Sequence, residues 1–360
     1  MSTDGSTCAV ILAAGKGTRM KSSLPKVLHP LMGKPVLAWV IAAVKDAGIS
    51  EIAVVLGSET TRFQELLKQN PSVRVAIQKG QKGTGDAVAS AAGAFIGVVT
   101  PAYADGELRV GSPIKVDWLL IVTGDTPAIS AKTLKDFIAS TKNSGKRLAV
   151  LGMEMPDPRG YGRLVKGPSG GLTKIVEERD ADSETRKIQL CNSGIMMANA
   201  SWLFELLGKV APHNAQNEYY LTDIFLLASN SQAPAHIFET KSDHEFAGIN
   251  DRMQLEALEV WMLERRRRDM MSSGVTLHLP NTIYVEADVV VEQDVEIFAG
   301  VSLLGTTRIS RGVQVGAGSV LQDVEVGAGV VVGANAVLTR MKVMAGSKIP
   351  PGMIRTEMDF

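Results

Sequence analysis

Cysteine is scarce in this chain: Cys8 and Cys191 are the only two among 360 residues. Two thiols cannot staple a disulfide scaffold, and alone they cannot complete a structural zinc site. Net charge is absent as well, because 38 Lys and Arg balance 38 Asp and Glu. That argues against a broadly basic nucleic-acid binder and against a polyanionic tail protein. Long apolar runs are missing too. The one uncharged stretch of membrane length, 87–104, is rich in Ala, Gly, Ser and Thr and contains Pro101. It reads as a buried helix followed by a loop, not as a span. The start Met1-Ser2-Thr3-Asp4 has no basic region, and Cys8–Ala14 is too short for a leader core, so a cytoplasmic chain without a membrane span is expected.

What is present is ordinary in bulk and organised in detail. Hydrophobic residues make up 45% and charged residues 21%, enough to bury a sizeable core. At about 150 residues per domain, the length implies two or three domains. In the first 250 residues, compact apolar runs (Ala9–Ala13, Glu51–Leu56, Val73–Ile77, Trp118–Thr123) alternate with amphipathic patterns (Pro35–Ala47, Thr60–Gln69, Asp86–Phe95, Ala131–Thr141). Alternation of this kind predicts an α/β domain with a mainly parallel sheet. Leu148–Met153, Tyr161–Lys166, Leu172–Glu178 and Ile195–Ala198 read as strands with turns between them. They suggest an antiparallel excursion over one sheet edge.

Asn250 to Ser273 reads as one long helix ended by Gly274, carrying the run Arg265–Arg268. Those arginines fit a solvated or interface-facing surface. Beyond Gly274 the period changes to six. Val285, Val291, Ile297, Leu303, Ile309, Val315 and Leu321 follow one another at six-residue steps, and after one five-residue step Val326, Val332 and Leu338 continue. An offset series runs Val289, Val295, Val301, Thr307, Val313 and Ser319. A parallel β-helix built of hexapeptides produces this period, since each hexapeptide forms one side of a triangular coil. Val285–Leu338 gives about three coils.

The segment Leu12-Ala13-Ala14-Gly15-Lys16-Gly17-Thr18-Arg19-Met20 follows the first strand directly. It lacks the Walker A spacing, and Met20 stands where a dinucleotide fingerprint has its third glycine. Its chemistry is nonetheless that of a phosphate loop: small residues admit backbone N–H groups to an anion, and Lys16 and Arg19 add charge. Lys26 follows in Leu24-Pro25-Lys26-Val27. Asp125, after Gly124, ends the run Trp118–Thr123, at the carboxyl edge where open α/β sheets bind ligands. Taken singly, Asp125 could be a helix N-cap or a turn residue, Lys26 a surface lysine, Asn250 the cap of the long helix, Asn192 a turn residue and Gly83–Gly85 a tight turn.

Together the motifs carry a family resemblance. Leu12–Met20 with Leu24-Pro25-Lys26 resembles the signature of the bacterial N-acetylglucosamine-1-phosphate uridylyltransferases. Further matches follow in order: Gln78 with Gly83-Thr84-Gly85, Gly124-Asp125, Gly160-Tyr161-Gly162-Arg163, Ile175-Val176-Glu177, Asn192-Ser193-Gly194, Glu218–Asp223, and Gly248-Ile249-Asn250. The resemblance spans about 8–340. It implies a Rossmann-like nucleotidyltransferase domain over 1–249, a linker helix over 250–273, a short left-handed β-helix over 274–345 and a tail over 346–360. It implies Mg²⁺-dependent uridylyl transfer from UTP to N-acetylglucosamine 1-phosphate, and a homotrimer assembled through the β-helix. Leu12, Ala13, Ala14 and Gly15 would line the uridine and phosphate pocket, and Arg19 and Lys26 would hold the triphosphate. Gln78, Gly83 and Thr84 would read the uracil edge. Gly162, Glu177 and Asn192 would contact the amino sugar, and Asp125 and Asn250 would hold Mg²⁺. Another sugar or base, or a non-catalytic assembly subunit, remains the alternative.

Three departures stand out. All five histidines lie at or before His278, ahead of the coils read over Val285–Leu338, so no histidine is expected in the β-helix coils as an acyl-transfer base, and no acetyltransferase activity is expected. Residues 97–114 look like an inserted surface loop, a hairpin or a lid. Thr123 stands where several relatives have an aromatic residue.

Overall fold

The computed structural model describes residues 5–92, 102–104, 107–109, 116–168, 170–241 and 244–356. They fall into two compact units, one of Met1–His29 and Pro35–Arg252, the other of Pro30–Lys34 and Met253–Phe360.

The main sheet of the first unit is built from β1 (Thr7–Leu12), β2 (Ile52–Leu56), β3 (Val73–Ile77), β4 (Trp118–Thr123), β5 (Leu148–Glu154), β6 (Arg163–Lys166), β7 (Leu172–Val176), β8 (Leu190–Asn199) and β9 (His236–Thr240). β3, β2, β1 and β4 are neighbours in parallel. β8 then runs antiparallel between β4 and β5, and β9 closes that side parallel to β5. The central strands are apolar along their whole length because helices cover both faces. On one face Val88, Leu203 and Ile224 pack from α3 (Thr84–Ala91), α5 (Ala200–Leu207) and α6 (Asp223–Asn230). On the other, Leu37, Leu66 and Phe137 pack from α1 (Val36–Asp46), α2 (Gln64–Gln69) and α4 (Ala131–Asn143).

The expected edge excursion needs correction. β5 and β8 are interior strands, and only β6 and β7 branch away from them, through Arg163 opposite Cys191. The run Leu148–Met153 is wholly buried, which fits a central strand and not a cover. Of the inserted stretch 97–114, Ala102–Ala104 and Glu107–Arg109 pair antiparallel as a hairpin would; the remainder lies outside the described residues. The uncharged stretch 87–104 begins within α3, and its residues 93–101 also lie outside them. Among the described residues no helix is long and apolar enough to cross a membrane.

In the second unit, α7 (Arg252–Ser272) is followed by short parallel strands. Tyr284 pairs with Ser302, and Ser302 with Val320, at a spacing of 18; Val320 pairs with Val337, and Val337 with Ile354, at 17. The five-residue step in the sequence is therefore a coil shortened by one residue. It recurs between Leu338 and Val343, both buried. At the shortened corner Asp323 and Arg340 take positive φ values of 55° and 49°, stacked in line with Gly305 at 63°. A left-handed residue turns the corner there without a separate glycine. Both aliphatic series face inward, and Thr307 and Ser319 are fully buried among them. Pairing continues through Lys348–Ile349 and Ile354–Thr356, within the stretch set apart as a tail.

Two further expectations change here. Arg267 is buried and donates from Nε to Ile283 O at 2.9 Å, and Arg266 donates to Val289 O, so half of the arginine run binds coil carbonyls. His278 lies on the first coil, its N–H donating to Ile297 O. Its Nε2 lies 2.8 Å from Glu296 Oε1 and its ring stacks on Phe298. A histidine is present in the β-helix because the first coil begins at Thr276, ahead of the regular six-residue series.

Candidate active site

The candidate site lies within the first unit, at the carboxyl ends of β2, β1 and β4. Ala13 N–H donates to Val55 O at 2.9 Å, and Leu12 O accepts from Gly124 N–H at 2.8 Å. These bonds set the start of the glycine loop beside Gly124-Asp125. Gly15, Lys16, Thr18 and Arg19 are exposed, while Met20 is buried and anchors the loop's far end. Gly17 has φ 58°, and a Cβ placed on it would stand 2.6 Å from Lys26 Cβ. The loop therefore rests against Lys26.

Lys26 Nζ forms a short ion pair with the Asp125 carboxylate and donates to Asn250 Oδ1 at 3.2 Å. The Lys26 and Asp125 side chains are 12% and 22% exposed. Ile249 N–H donates to Asp125 O at 2.9 Å and brings Asn250 to this point. Of the plain structural readings, Ser130 and not Asp125 caps α4, α7 begins two residues after Asn250, and Lys26 is paired, while Asp125 does lie in a turn. Arg19 is exposed on the short turn Thr18–Met20. A carboxylate and an amide oxygen converging on one cation are hard oxygen donors, the type Mg²⁺ takes alongside water and phosphate.

A second group forms where β3 ends. Gln78 is buried, and its Nε2 donates to Gly83 O at 2.9 Å and to Asp86 Oδ2 at 2.8 Å. Gly83 has φ 108°, and a Cβ there would stand 2.6 Å from Tyr219 O, so this position admits only glycine. Thr84 Oγ1 accepts from Leu221 N–H at 3.0 Å, and Gly85 N–H donates to Tyr219 O. Gln81 Nε2 donates to Ala14 O at 3.1 Å, tying this turn to the glycine loop. Sequence reading missed Gln81 and Asp86. Asp86 in the first turn of a helix looks like an ordinary dipole partner, and neither residue has a motif of its own.

A third group holds Gly162, Glu177 and Asn192. Asn192 N–H donates to Gly162 O at 2.8 Å, and Asn192 Oδ1 accepts from Gly194 N–H at 2.9 Å. A Cβ on Gly162 would lie 3.4 Å from Glu177 Oε2. Thr222 donates to Glu177 Oε1 at 3.1 Å. Burial raises the Glu177 pKa, that hydrogen bond opposes the rise, and Asp180 and Asp223 add to it. Asp223 is itself pushed up to about 6 by burial and Asp180. Thr123 fills the space beside Gly194, where a Cβ would stand 2.8 Å from Thr123 Cγ2. Arg163, also buried, pairs with Glu178 at 2.8 Å and braces the strand below.

Residues 9–185 match the MobA-like NTP transferase domain. The bifunctional protein GlmU of Geobacter metallireducens is 38% identical over 318 residues, which is 88% of this chain and 63% of that protein. That of Geobacter sulfurreducens is 37% identical over 317 residues, with the same shares. That of Trichlorobacter lovleyi is 36% identical over 336 residues, 89% of this chain and 69% of that protein. The chain thus spans less than two thirds of the length of the first two. At these identities and with this coverage of the third, the chain belongs to the family of the bifunctional GlmU proteins.

Proposed function

We propose that this chain is a UDP-N-acetylglucosamine pyrophosphorylase, joining UTP and N-acetylglucosamine 1-phosphate with release of pyrophosphate. The product class serves cell-envelope and peptidoglycan precursor synthesis. One observation carries the reading: Lys26, Asp125 and Asn250 meet at the carboxyl edge of the sheet, beside the glycine loop. The reaction is an in-line attack of a phosphate oxygen on the α-phosphorus. The nucleophile is already ionised, so no general base is required, and the barrier lies in bringing two anions together.

The chain's residues answer that need by charge and position. Leu12, Ala13, Ala14 and Gly15 offer backbone groups to the nucleotide. Arg19, exposed on its turn, and Lys26 neutralise the triphosphate and the charge that builds in the transition state. Gln78, Gly83 and Thr84 read the base. Gly162, Glu177 and Asn192 orient the sugar, with Thr222 fixing one Glu177 oxygen. Asp125 and Asn250 would hold Mg²⁺, which supplies charge neutralisation on phosphate oxygens. The donor set fits that ion.

Pyrophosphate release across a panel of sugar 1-phosphates and nucleoside triphosphates tests the substrate choice. A clear preference for another pair refutes it. Unchanged pyrophosphorolysis in Asp125→Ala refutes the metal assignment, and turnover absent from every pair favours a non-catalytic assembly subunit. The reading includes no acetyl transfer: among the described coils the one histidine, His278, has its ring flat on Phe298 and its Nε2 on Glu296. Coenzyme A release from acetyl-coenzyme A with glucosamine 1-phosphate would overturn that. Assembly as a homotrimer through the β-helix completes the proposal, and a monomeric mass by light scattering at micromolar concentration opposes it.

A further inference from the structure

We propose that Asp86 is a positioning residue that sets base selectivity by fixing the side-chain amide of Gln78. The proposal rests on the reading of Gln78 as the group that faces the base. A glutamine amide is ambiguous as a reader, since one end donates and the other accepts and the two ends exchange by a flip of the amide. Here the ambiguity is removed. Gln78 Nε2 has two hydrogens and two acceptors, Gly83 O at 2.9 Å and Asp86 Oδ2 at 2.8 Å. With both hydrogens engaged, the amide's remaining capacity is acceptance at Oε1. A flipped amide would press Oε1 against a carbonyl and a carboxylate, all three of them acceptors.

The two acceptors are unequal. Asp86 is charged, and its bond to Gln78 is the charge-assisted one, the stronger type. The same Oδ2 accepts from Lys82 N–H at 3.0 Å, and Asp86 is only 3% exposed. The carboxylate is thus held in one place by the turn it stabilises. An acceptor presented to a pyrimidine matches uracil, whose N3–H donates. It opposes cytosine, whose N3 is an acceptor. The selectivity therefore originates one residue behind the base-facing amide.

The test is the ratio of kcat/KM for UTP to that for CTP, measured on the full chain with N-acetylglucosamine 1-phosphate. In Asp86→Asn a single amide oxygen can replace Oδ2 and accept both bonds, so the ratio should stay within about twofold of wild type. In Asp86→Leu the ratio should fall about tenfold or more, through a higher KM for UTP with kcat nearly unchanged. A purely structural role would lower both substrates' values together and leave the ratio alone. If Asp86→Leu does not fold, Asp86→Thr, whose hydroxyl is free to turn, replaces it and should lose part of the ratio. An unchanged ratio in either folded variant overturns the proposal. Gln78→Ala separates the two layers: an unchanged ratio there refutes the base-facing reading itself, while a collapsed ratio there beside an intact one in Asp86→Leu refutes only the role of Asp86.

Discussion

Gly15 and Gly17 stand two residues apart in one loop, and alanine should affect them in opposite ways. At Gly17 φ is 58°, and the new Cβ would meet Lys26 Cβ at 2.6 Å. The left-handed backbone alone costs an alanine about 1–2 kcal/mol. The contact is far inside van der Waals distance, and the atom it strikes is the root of the lysine side chain, so Lys26 must move as a whole. Its Nζ then leaves Asp125 and Asn250. A displacement of about 1 Å in a positioning group can cost on the order of 100-fold. Gly17→Ala should therefore lose about 1–3 kcal/mol in urea unfolding and about 100-fold in kcat/KM for nucleotidyl transfer. At Gly15 a Cβ meets nothing within 4 Å and φ is not positive. Gly15→Ala should leave stability within about 0.5 kcal/mol. Any activity lost there reports how closely a phosphate approaches that backbone. A Gly17→Ala protein with wild-type stability and turnover would refute the account of how the loop supports Lys26.

Two other perturbations follow from buried polar groups. Thr307 is fully buried; its hydroxyl donates to Leu304 O at 2.7 Å and accepts from Val324 N–H at 3.2 Å. Thr307→Val leaves that N–H without its acceptor, so it should destabilise the β-helix by about 1–3 kcal/mol in chemical unfolding, and no loss would show the hydroxyl to be dispensable. Asp223 has its pKa raised to about 6 by burial first and Asp180 second. The folded chain therefore takes up this proton before the unfolded chain does, and the associated stability is present in acid and lost as pH rises through about 6. Asp223→Asn should remove that dependence, so its Tm advantage over wild type should grow from pH 4 to pH 7; a constant difference would refute it.

Repetition and motif order made much of this protein legible before the structure was known. Six-residue spacing reported the coils because each coil side must bury one aliphatic residue, and even the five-residue step reappears as a 17-residue pairing interval. The parallel core strands were legible because continuous burial forces continuous apolar runs, as in Trp118–Thr123. The place of β5 was not, because an interior strand paired to an antiparallel neighbour looks like an edge strand until its partner is known. His278 is hidden for a related reason: the first coil side lacks the regular aliphatic spacing, so only the pairing of Thr276 with Glu296 shows that the coil has begun.

The three site groups show a sharper limit. Lys26 and Asn250 are 224 residues apart, and only the fold brings the lysine nitrogen to 3.2 Å from the amide oxygen. Motif order could nominate both, since each stands in a recognisable segment. It could not nominate the residues that aim them. Thr222 fixes a Glu177 oxygen, Gln81 ties two turns together, and Asp86 engages both Gln78 and Lys82. Each acts through a hydrogen bond that depends on orientation, and many sequences satisfy the same composition without that orientation. Asp86 is the clearest case. In the chain it is one acid in the first turn of a helix, a position where acids are favoured for the helix dipole alone. That explanation is sufficient until the carboxylate is seen to be buried with a side-chain amide in front of it. A buried ionised group must be balanced by donors, and here one of those donors belongs to the residue proposed to read the base. The demand for hydrogen-bond satisfaction thus links a helix terminus to substrate choice, a connection visible only in three dimensions.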